Sequence, residues 1–379
     1  MAESERTRRA ADHDEAHAFV CSAVSAYIMN RPDQIALSDD MAWRRIAQTV
    51  AIHGLEGIFH HVLSDVDLPA PLREGWQKKT MAVLFENLRS LRNAVRLFCM
   101  LDAAGIPAVA MRGLTLAHKD YITPGMRSMG DIDILISPDD RFKFLEVIEK
   151  EGIHLEQVLR SQYVLRVAGT KFEIHWSFLT AKRYREVFDS NELLASRQTC
   201  KTQDGTIHCL SNEHELIGLV THAFIHHELS VFRQLLDIGL YMVKPDMDWP
   251  CIRKWSCSAR LTRMFSLTFH LISRLFRLEV KGFREAFGTS PPLRIEKTLH
   301  HYIEHYFGRK TIGTHLGMKQ NLLYTAEPPV VKLKQFVGFF TLAEAQEAWQ
   351  LLFGDKEKCP DARSGNVPSL PASAPGRDE

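Results

Sequence analysis

The sequence predicts an α+β protein: a small mixed sheet with helices, flanked by an N-terminal helical segment and a C-terminal helical domain. Three observations carry that reading. Apolar residues recur at helical spacing in Asp14–Asn30 and Met41–Leu63, and again from Ser211 to about Phe353. Between those regions the apolar runs are short, of strand length, and bounded by Gly, Pro and Asp turns. The charged start, Met1–His13, and the tail, Gly354–Glu379, show no such pattern. A frayed start and a disordered tail are expected from their polar composition.

Each element follows from local chemistry. Pro69 and Pro71 punctuate the chain, and a long helix is predicted from about Arg73 to Ala104. It stops at Gly105, because glycine takes the left-handed conformation that ends helices. Ile106–Met111 reads as a buried strand, Gly113 breaks it, and Leu114–Asp120 reads as a helix. Thr123-Pro124-Gly125 is a turn ahead of a strand at Met129–Ile136. Ser137 as N-cap, with Pro138 and two early acids behind it, predicts a helix to about Glu151. Gln162–Val167 and Lys171–Phe178 form a hairpin around Ala168-Gly169-Thr170, and Cys200–Cys209 forms another turning at Asp204-Gly205. These boundaries divide the chain into 1–104, 105–210, 211–353 and 354–379.

Composition narrows the function classes. Across 379 residues, 47 Lys and Arg face 46 Asp and Glu, so no global positive field recruits long nucleic acid. No run of about 18 apolar residues exists to span a membrane, and Met1–His13 lacks the apolar core of a leader. The seven cysteines contain no CxxC pair, which favours buried free thiols in a reducing cytoplasm over disulfides or zinc.

The chemistry concentrates in Arg127–Ile136, Arg-Ser-Met-Gly-Asp-Ile-Asp-Ile-Leu-Ile. On a strand, Asp131 and Asp133 share one face while Ile132, Ile134 and Ile136 enter the core. An isolated Asp-x-Asp is ordinarily a solvated pair, but here an apolar run surrounds it. Neighbouring carboxylates repel unless a cation joins them, and hard oxygens suit Mg²⁺. Lys171-Phe172-Glu173-Ile174-His175-Trp176 offers a third acid: Glu173 and His175 share a face, and an acid in an apolar strand needs a partner.

At this point the motifs become recognisable. Gly113, the Asp131-Ile132-Asp133 strand and the Glu173 strand resemble the DNA polymerase β-type nucleotidyltransferase superfamily. Met111-Arg112-Gly113, Pro124 to Asp133 and Glu173-Ile174-His175-Trp176 look like a bacterial branch of uncharacterised nucleotidyltransferases. These motifs span about 65 residues, with weaker likeness in the long helix before them and the His-rich helix after Ser211. The resemblance implies a nucleotidyltransferase-type sheet and NMP transfer from an NTP, such as ATP, to a hydroxyl with release of pyrophosphate. It further implies that Asp131 and Asp133 hold two Mg²⁺ ions, with Mn²⁺ as a substitute, and that Glu173 holds the catalytic one. The usual glycine signature, Gly-Gly or Gly-Ser, departs here to Gly113-Leu114, so Thr115 is the substitute phosphate donor beside Gly113. Arg112 and Arg127 flank the motifs and suit phosphate oxygens through their fork of donors.

Leu216–Met242 reads as one largely apolar helix with a single polar stripe. At 100° per residue His222, His226, Arg233 and Asp237 fall within about 60° of one another. The stripe either fixes the helical part against the sheet or lines the cleft beside His175. His222 and His226 have zinc-ligand spacing but lack the Glu of His-Glu-x-x-His. His227, one step round, is expected in solvent. Two other function classes remain open: a metal-dependent Asp-x-Asp glycosyltransferase, and a non-catalytic nucleotide-binding or regulatory protein on the same fold. The acceptor, a small molecule or a protein side chain, is not encoded in any motif.

Overall fold

Helix α1 (Ala2–Ile28) begins at the second residue, so the charged start is helical rather than frayed. Its Ala, Glu and Arg content is strongly helix-forming and needs no apolar stripe. The computed structural model describes residues 2–31, 35, 42–159, 161–179, 188–289 and 302, with only the backbone of 2–14. The predicted helical continuation to Phe353 and the predicted disordered tail therefore lie outside the described residues beyond 289, save 302.

The Met41–Leu63 pattern divides into α2 (Trp43–His53) and α3 (Glu56–Val62) at Gly54, whose φ of 64° ends the first helix. Helix α4 (Ala70–Ala103) is 34 residues long, with Pro71 in its first turn and Gly105 at φ 64° beyond its end. The chain continues through β1 (Ala108–Met111), α5 (Gly113–Lys119), β2 (Ile132–Ile136), α6 (Arg141–Lys150), β3 (Leu155–Val158), β4 (Gln162–Val167) and β5 (Thr170–His175). Next come α7 (Ser190–Ala195), β6 (Gln198–Thr202) and β7 (Gly205–Cys209). Helices α8 (Asn212–Ile225), α9 (Phe232–Met242), α10 (Trp249–Ser258), α11 (Thr262–Leu275) and α12 (Lys281–Phe287) complete the described part. The edge strand β3 and helix α7 have no clear period in the sequence and were not expected.

The sheet is mixed, in the order β3-β4-β5-β2-β1-β7-β6. Pairs β2–β5 and β1–β7 are parallel, while β1–β2, β3–β4, β4–β5 and β6–β7 are antiparallel. Ala168 and Gly169, with φ of 47° and 84°, make the tight β4–β5 turn that the hairpin requires. Period two then separates two faces. Ile132, Ile134, Ile136, Phe172 and Ile174 are buried with Leu97, Phe98 and Leu101 of α4 and Phe144 of α6. On the other face Val109, Met111 and Leu135 join a second core, which α1–α3 share with α8–α12. Burying side chains of this size contributes about 1.5–3 kcal/mol each, so both faces are firmly specified. Polar residues of β2 and β5 on the second face must then meet one another or the helices above. No helix among the described residues is long and apolar enough to cross a membrane.

Candidate active site

The polar face of β2 and β5 forms the floor of a cavity of about 590 Å³, roofed by residues of α8 and α9. Register puts Asp133 directly beside Glu173, and Leu135 beside His175, on paired parallel strands. Asp131 precedes β2 rather than lying in it, so the two-residue spacing does not by itself align it. It nevertheless lines the same cavity with Asp133, Glu173 and His175. Its side chain is 41% exposed, against 16% for Asp133 and 18% for Glu173.

Each carboxylate is held differently. Asp133 Oδ1 accepts from Arg112 Nη2 at 2.8 Å and from His175 Nε2 at 2.8 Å. Glu173 accepts from Lys171 Nζ at 2.5 Å on one oxygen and from Gln162 Nε2 at 2.7 Å on the other. Lys171 also reaches Asp131 Oδ2 at 3.4 Å, joining the first and third acids. Burial pushes the Asp131 carboxyl up, and the charges of Asp133 and Glu173 push it further. Burial acts the same way on Asp133, but the Arg112 charge and the His175 hydrogen bond hold it well below the usual carboxylate range. One acid of the pair is thus locked as the anion while its neighbour feels the crowding.

Crowded anions of this kind fit a divalent cation. Ligand atoms of Asp133, Glu173 and His175 all lie within 4.8 Å of one another. Asp131 is outside that group and connects to it through Lys171. Carboxylate oxygens are the donors Mg²⁺ and Mn²⁺ take. His175 Nε2 already donates to Asp133, so the imidazole orients that carboxylate rather than competing with it.

The Gly113 corner is tight. An added Cβ there would lie 3.0 Å from Arg127 Nη1 and 3.3 Å from Met129 Sδ, so glycine lets the guanidinium approach the backbone closely. Arg112 just before it has φ 59° and ψ −113°, a costly conformation for a residue with a Cβ. Its N–H donates to Glu215 Oε1 at 2.5 Å, and its guanidinium bridges Asp133 and His222 Nδ1. Thr115 does not reach the cavity. It is 1% exposed and its hydroxyl points to Ala110 O at 3.5 Å, because its place in the first turn of α5 turns it back onto the sheet.

Arg127 lines the cavity but is mainly a buried ion-pair partner. Its Nε and Nη2 donate to Asp237 Oδ1 and Oδ2 at 3.0 and 2.8 Å, and Tyr121 donates to the same carboxylate at 2.6 Å. Asp237, expected in the cleft, is 0% exposed and absent from its lining: it is a buried counter-ion beneath the wall. Asn87 of α4 fixes the loop in between, donating to Pro124 O at 2.6 Å and Arg127 O at 2.7 Å. Gly125 permits that approach, since a Cβ there would sit 2.7 Å from Thr80 O.

The expected single helix Leu216–Met242 is two. Helix α8 ends at Ile225, the chain reverses through Glu228 and Leu229 at φ 52° and 58°, and α9 starts at Phe232. A helical wheel therefore cannot relate His222 to Arg233. They meet because α8 and α9 pack as a hairpin over the sheet, and His222, His226 and Arg233 all line the cavity. His227, expected in solvent, lines it too, with Nε2 3.1 Å from His222 Nε2. Arginine only donates, so His222 Nδ1 accepts from Arg112, and His222 Nε2–H must donate to His227. Burial, then the nearby Arg112 charge, keep the His222 pKa well below its ordinary value, which preserves that chain. Among the described residues, the three histidines do not form a metal-ligand group of their own.

Several contributors escaped the sequence reading. Lys171 shares the period-two face of Glu173 and was accessible to the same argument. Gln162 follows from the hairpin register, which places it across from His175. Ser128, Glu215 and Asn87 meet their partners only through long-range packing, and no local signal marks them.

With this geometry in place, the comparisons are decisive on family. A family model described as uncharacterised nucleotidyltransferase matches residues 39–277, more than half of the chain. The chain belongs to that family. It is accordingly a nucleotidyltransferase, an enzyme of NMP transfer in general terms. No curated protein matches the sequence significantly. Among solved structures, the antibiotic-resistance factor ANT(2'')-Ia in solution is 14% identical, with a TM-score of 0.33, covering 51% of this chain and 97% of its own. ANT(2'')-Ia in complex with adenylyl-2''-tobramycin is 12% identical, with a TM-score of 0.33 and coverages of 43% and 91%. An antigenic nucleotidyltransferase-like protein from Paracoccidioides brasiliensis is 16% identical, with a TM-score of 0.32 and coverages of 51% and 94%.

Proposed function

We propose that this nucleotidyltransferase moves an NMP from an NTP to a hydroxyl on a small molecule or protein, with two Mg²⁺ ions as cofactor. The observation that carries the reading is the register of Asp133 against Glu173, with Asp131 tied to the same cluster through Lys171. Asp131 and Asp133 would hold both ions and Glu173 the one nearer the acceptor, with Mn²⁺ as a substitute. Bound Mg²⁺ supplies positive charge to the phosphoryl oxygens and departing pyrophosphate. The acceptor hydroxyl gives its proton to solvent as its oxygen bonds to the α-phosphorus, the bond to the bridging oxygen breaks, and pyrophosphate leaves with that electron pair.

The chain's own residues prepare this chemistry. Arg112 and His175 both grip Oδ1 of Asp133, which fixes the carboxylate as an anion in one orientation. Gln162 and Lys171 hold Glu173 in one orientation, one on each oxygen. Arg112 and Arg127 line the cavity on either side of Gly113 and would meet nucleotide phosphates. The near balance of charge, 47 against 46, favours a compact acceptor over long nucleic acid. Six described cysteines are free thiols, in keeping with action in the cytoplasm. A glycosyltransferase reading would need a nucleotide-binding α/β half ahead of Asp131, where α1–α4 stand instead.

The test is incubation with each labelled NTP, Mg²⁺ and cell extract, following pyrophosphate release and the fate of label. Asp133→Asn should cut transfer about a thousandfold, since several kcal/mol of charge stabilisation are lost at a tenfold per 1.36 kcal/mol. The variant should stay folded. Equal label transfer by wild type and Asp133→Asn would overturn the role of that carboxylate, and none by folded wild type across a broad acceptor pool would move weight to a non-catalytic binding protein.

A further inference from the structure

The cavity lining includes a guanidinium, that of Arg233, which makes no ion pair among the described residues. Arg233 of α9 donates through Nη1 to Ser128 Oγ at 2.6 Å, which sets it beside Arg127, the preceding residue of that loop. The charges of two carboxylates, Asp237 and Glu56, are felt by Arg233, and neither forms an ion pair with it among the described residues. Asp237 is fully buried, and both of its oxygens are taken by Arg127 and Tyr121. Arg233 forms no ion pair among the described residues, and its Nε is buried without an acceptor. A buried donor without an acceptor costs free energy, and a buried charge without a partner costs more. Arg127 lines the same cavity, with Nη1 close against Gly113. The corner therefore offers a guanidinium that makes no ion pair among the described residues, a spare donor at its Nε, and room in the cavity it lines.

No hydroxyl side chain at the glycine turn faces the cavity. Leu114, which follows Gly113, carries no polar atom on its side chain, and Thr115 is sealed against the sheet. We propose that Arg233, aimed by Ser128 and joined by Nη1 of Arg127, forms a phosphate subsite for the β- and γ-phosphates of the NTP. This rests on the reading of the cavity as a site of NMP transfer. Helix α9 thus does the work that a side chain of the glycine turn leaves undone, and the planar fork of Arg233 suits two phosphate oxygens at once. It is a binding and positioning role: the arginine holds the leaving group rather than the reacting atoms.

The test is calorimetric titration of the full chain, with Mg²⁺ present, using inorganic pyrophosphate, a nonhydrolysable ATP analogue and AMP. Arg233→Ala should weaken pyrophosphate and the triphosphate analogue at least about tenfold and leave AMP within about twofold, in keeping with the strength of a charge-assisted contact. Arg233→Lys keeps the charge without the fork and should fall between, and it decides the matter if Arg233→Ala does not fold. Pyrophosphate decides the outcome whatever base the site prefers. Unchanged pyrophosphate binding in folded Arg233 variants, no measurable binding by wild type, or equal losses for AMP would each overturn the subsite. Label transfer by wild type together with unchanged binding in Arg233→Ala would retire the subsite and keep NMP transfer. Arg233-dependent pyrophosphate binding without label transfer would do the reverse.

Discussion

Replacing Asp237 by Asn takes the negative charge from beneath Arg127 and leaves the shape of the side chain. The carboxylate is 0% exposed and the arginine side chain 10% exposed, so water cannot take over its role. Both prongs are short, at 3.0 and 2.8 Å, and Tyr121 adds a third hydrogen bond at 2.6 Å. Removing one partner of such a buried pair costs about 3–5 kcal/mol, because the remaining charge is stranded. Asn keeps an acceptor for Tyr121, which places Asp237→Asn near about 3 kcal/mol and Asp237→Ala nearer about 5. At about 2 °C per kcal/mol for a chain of this size, the melting temperature should fall by about 6–10 °C. Urea titration and thermal circular dichroism measure both quantities. The double variant Arg127→Met with Asp237→Leu should regain most of the stability, since apolar replacement of a buried pair is often neutral or better. Its affinity for pyrophosphate should stay low, because Arg127 also faces the phosphate corner. A loss below about 1 kcal/mol for Asp237→Asn would refute the claim that this pair holds the loop in place.

Two further outcomes follow from the same packing. Burial raises the Glu215 carboxyl from 4.5 to about 7, partly offset by the Arg112 N–H, so the folded state binds the proton more tightly than the unfolded chain. That stabilisation is complete below about pH 4.5 and is lost as pH rises through about 7, so wild type should lose about 3 kcal/mol relative to Glu215→Gln across that window; parallel urea midpoints for the two proteins at pH 5 and pH 8 would contradict it. Asn87→Ala strips donors from Pro124 O and Arg127 O and should cost about 1–3 kcal/mol with a raised KM for the NTP, and wild-type stability in that variant would sink the proposed anchoring.

Much of the site was legible because it obeys local periods. Asp133, Glu173 and His175 occupy one face by strand alternation, and their apolar neighbours fill the other. The Ala168-Gly169 turn fixed one hairpin, and Gly105 ended α4 as its chemistry requires. Where the sequence misled, a longer-range effect intervened. Thr115 looked like a phosphate donor by proximity to Gly113, but the rotation of α5 buried it. The polar stripe looked continuous because nothing local marks Glu228 and Leu229 for left-handed backbone, a conformation that tertiary packing imposes on residues that disfavour it. The charged N-terminus read as frayed, although helix propensity alone extends α1 through it.

The order of residues by itself determined the acidic strand, its partner strand and the chemistry their carboxylates favour. Alternation is a property of the backbone, and it survives whatever packs above it. The fold decided which donors meet those acids, Arg112, Lys171 and His175 at the floor, and set Arg127 and Arg233 together elsewhere in the lining. Those contacts join residues that are mostly 40 to 110 positions apart. No periodicity reaches so far, and only closure of α8 and α9 over the sheet sets which charges are neutralised and which still await a ligand.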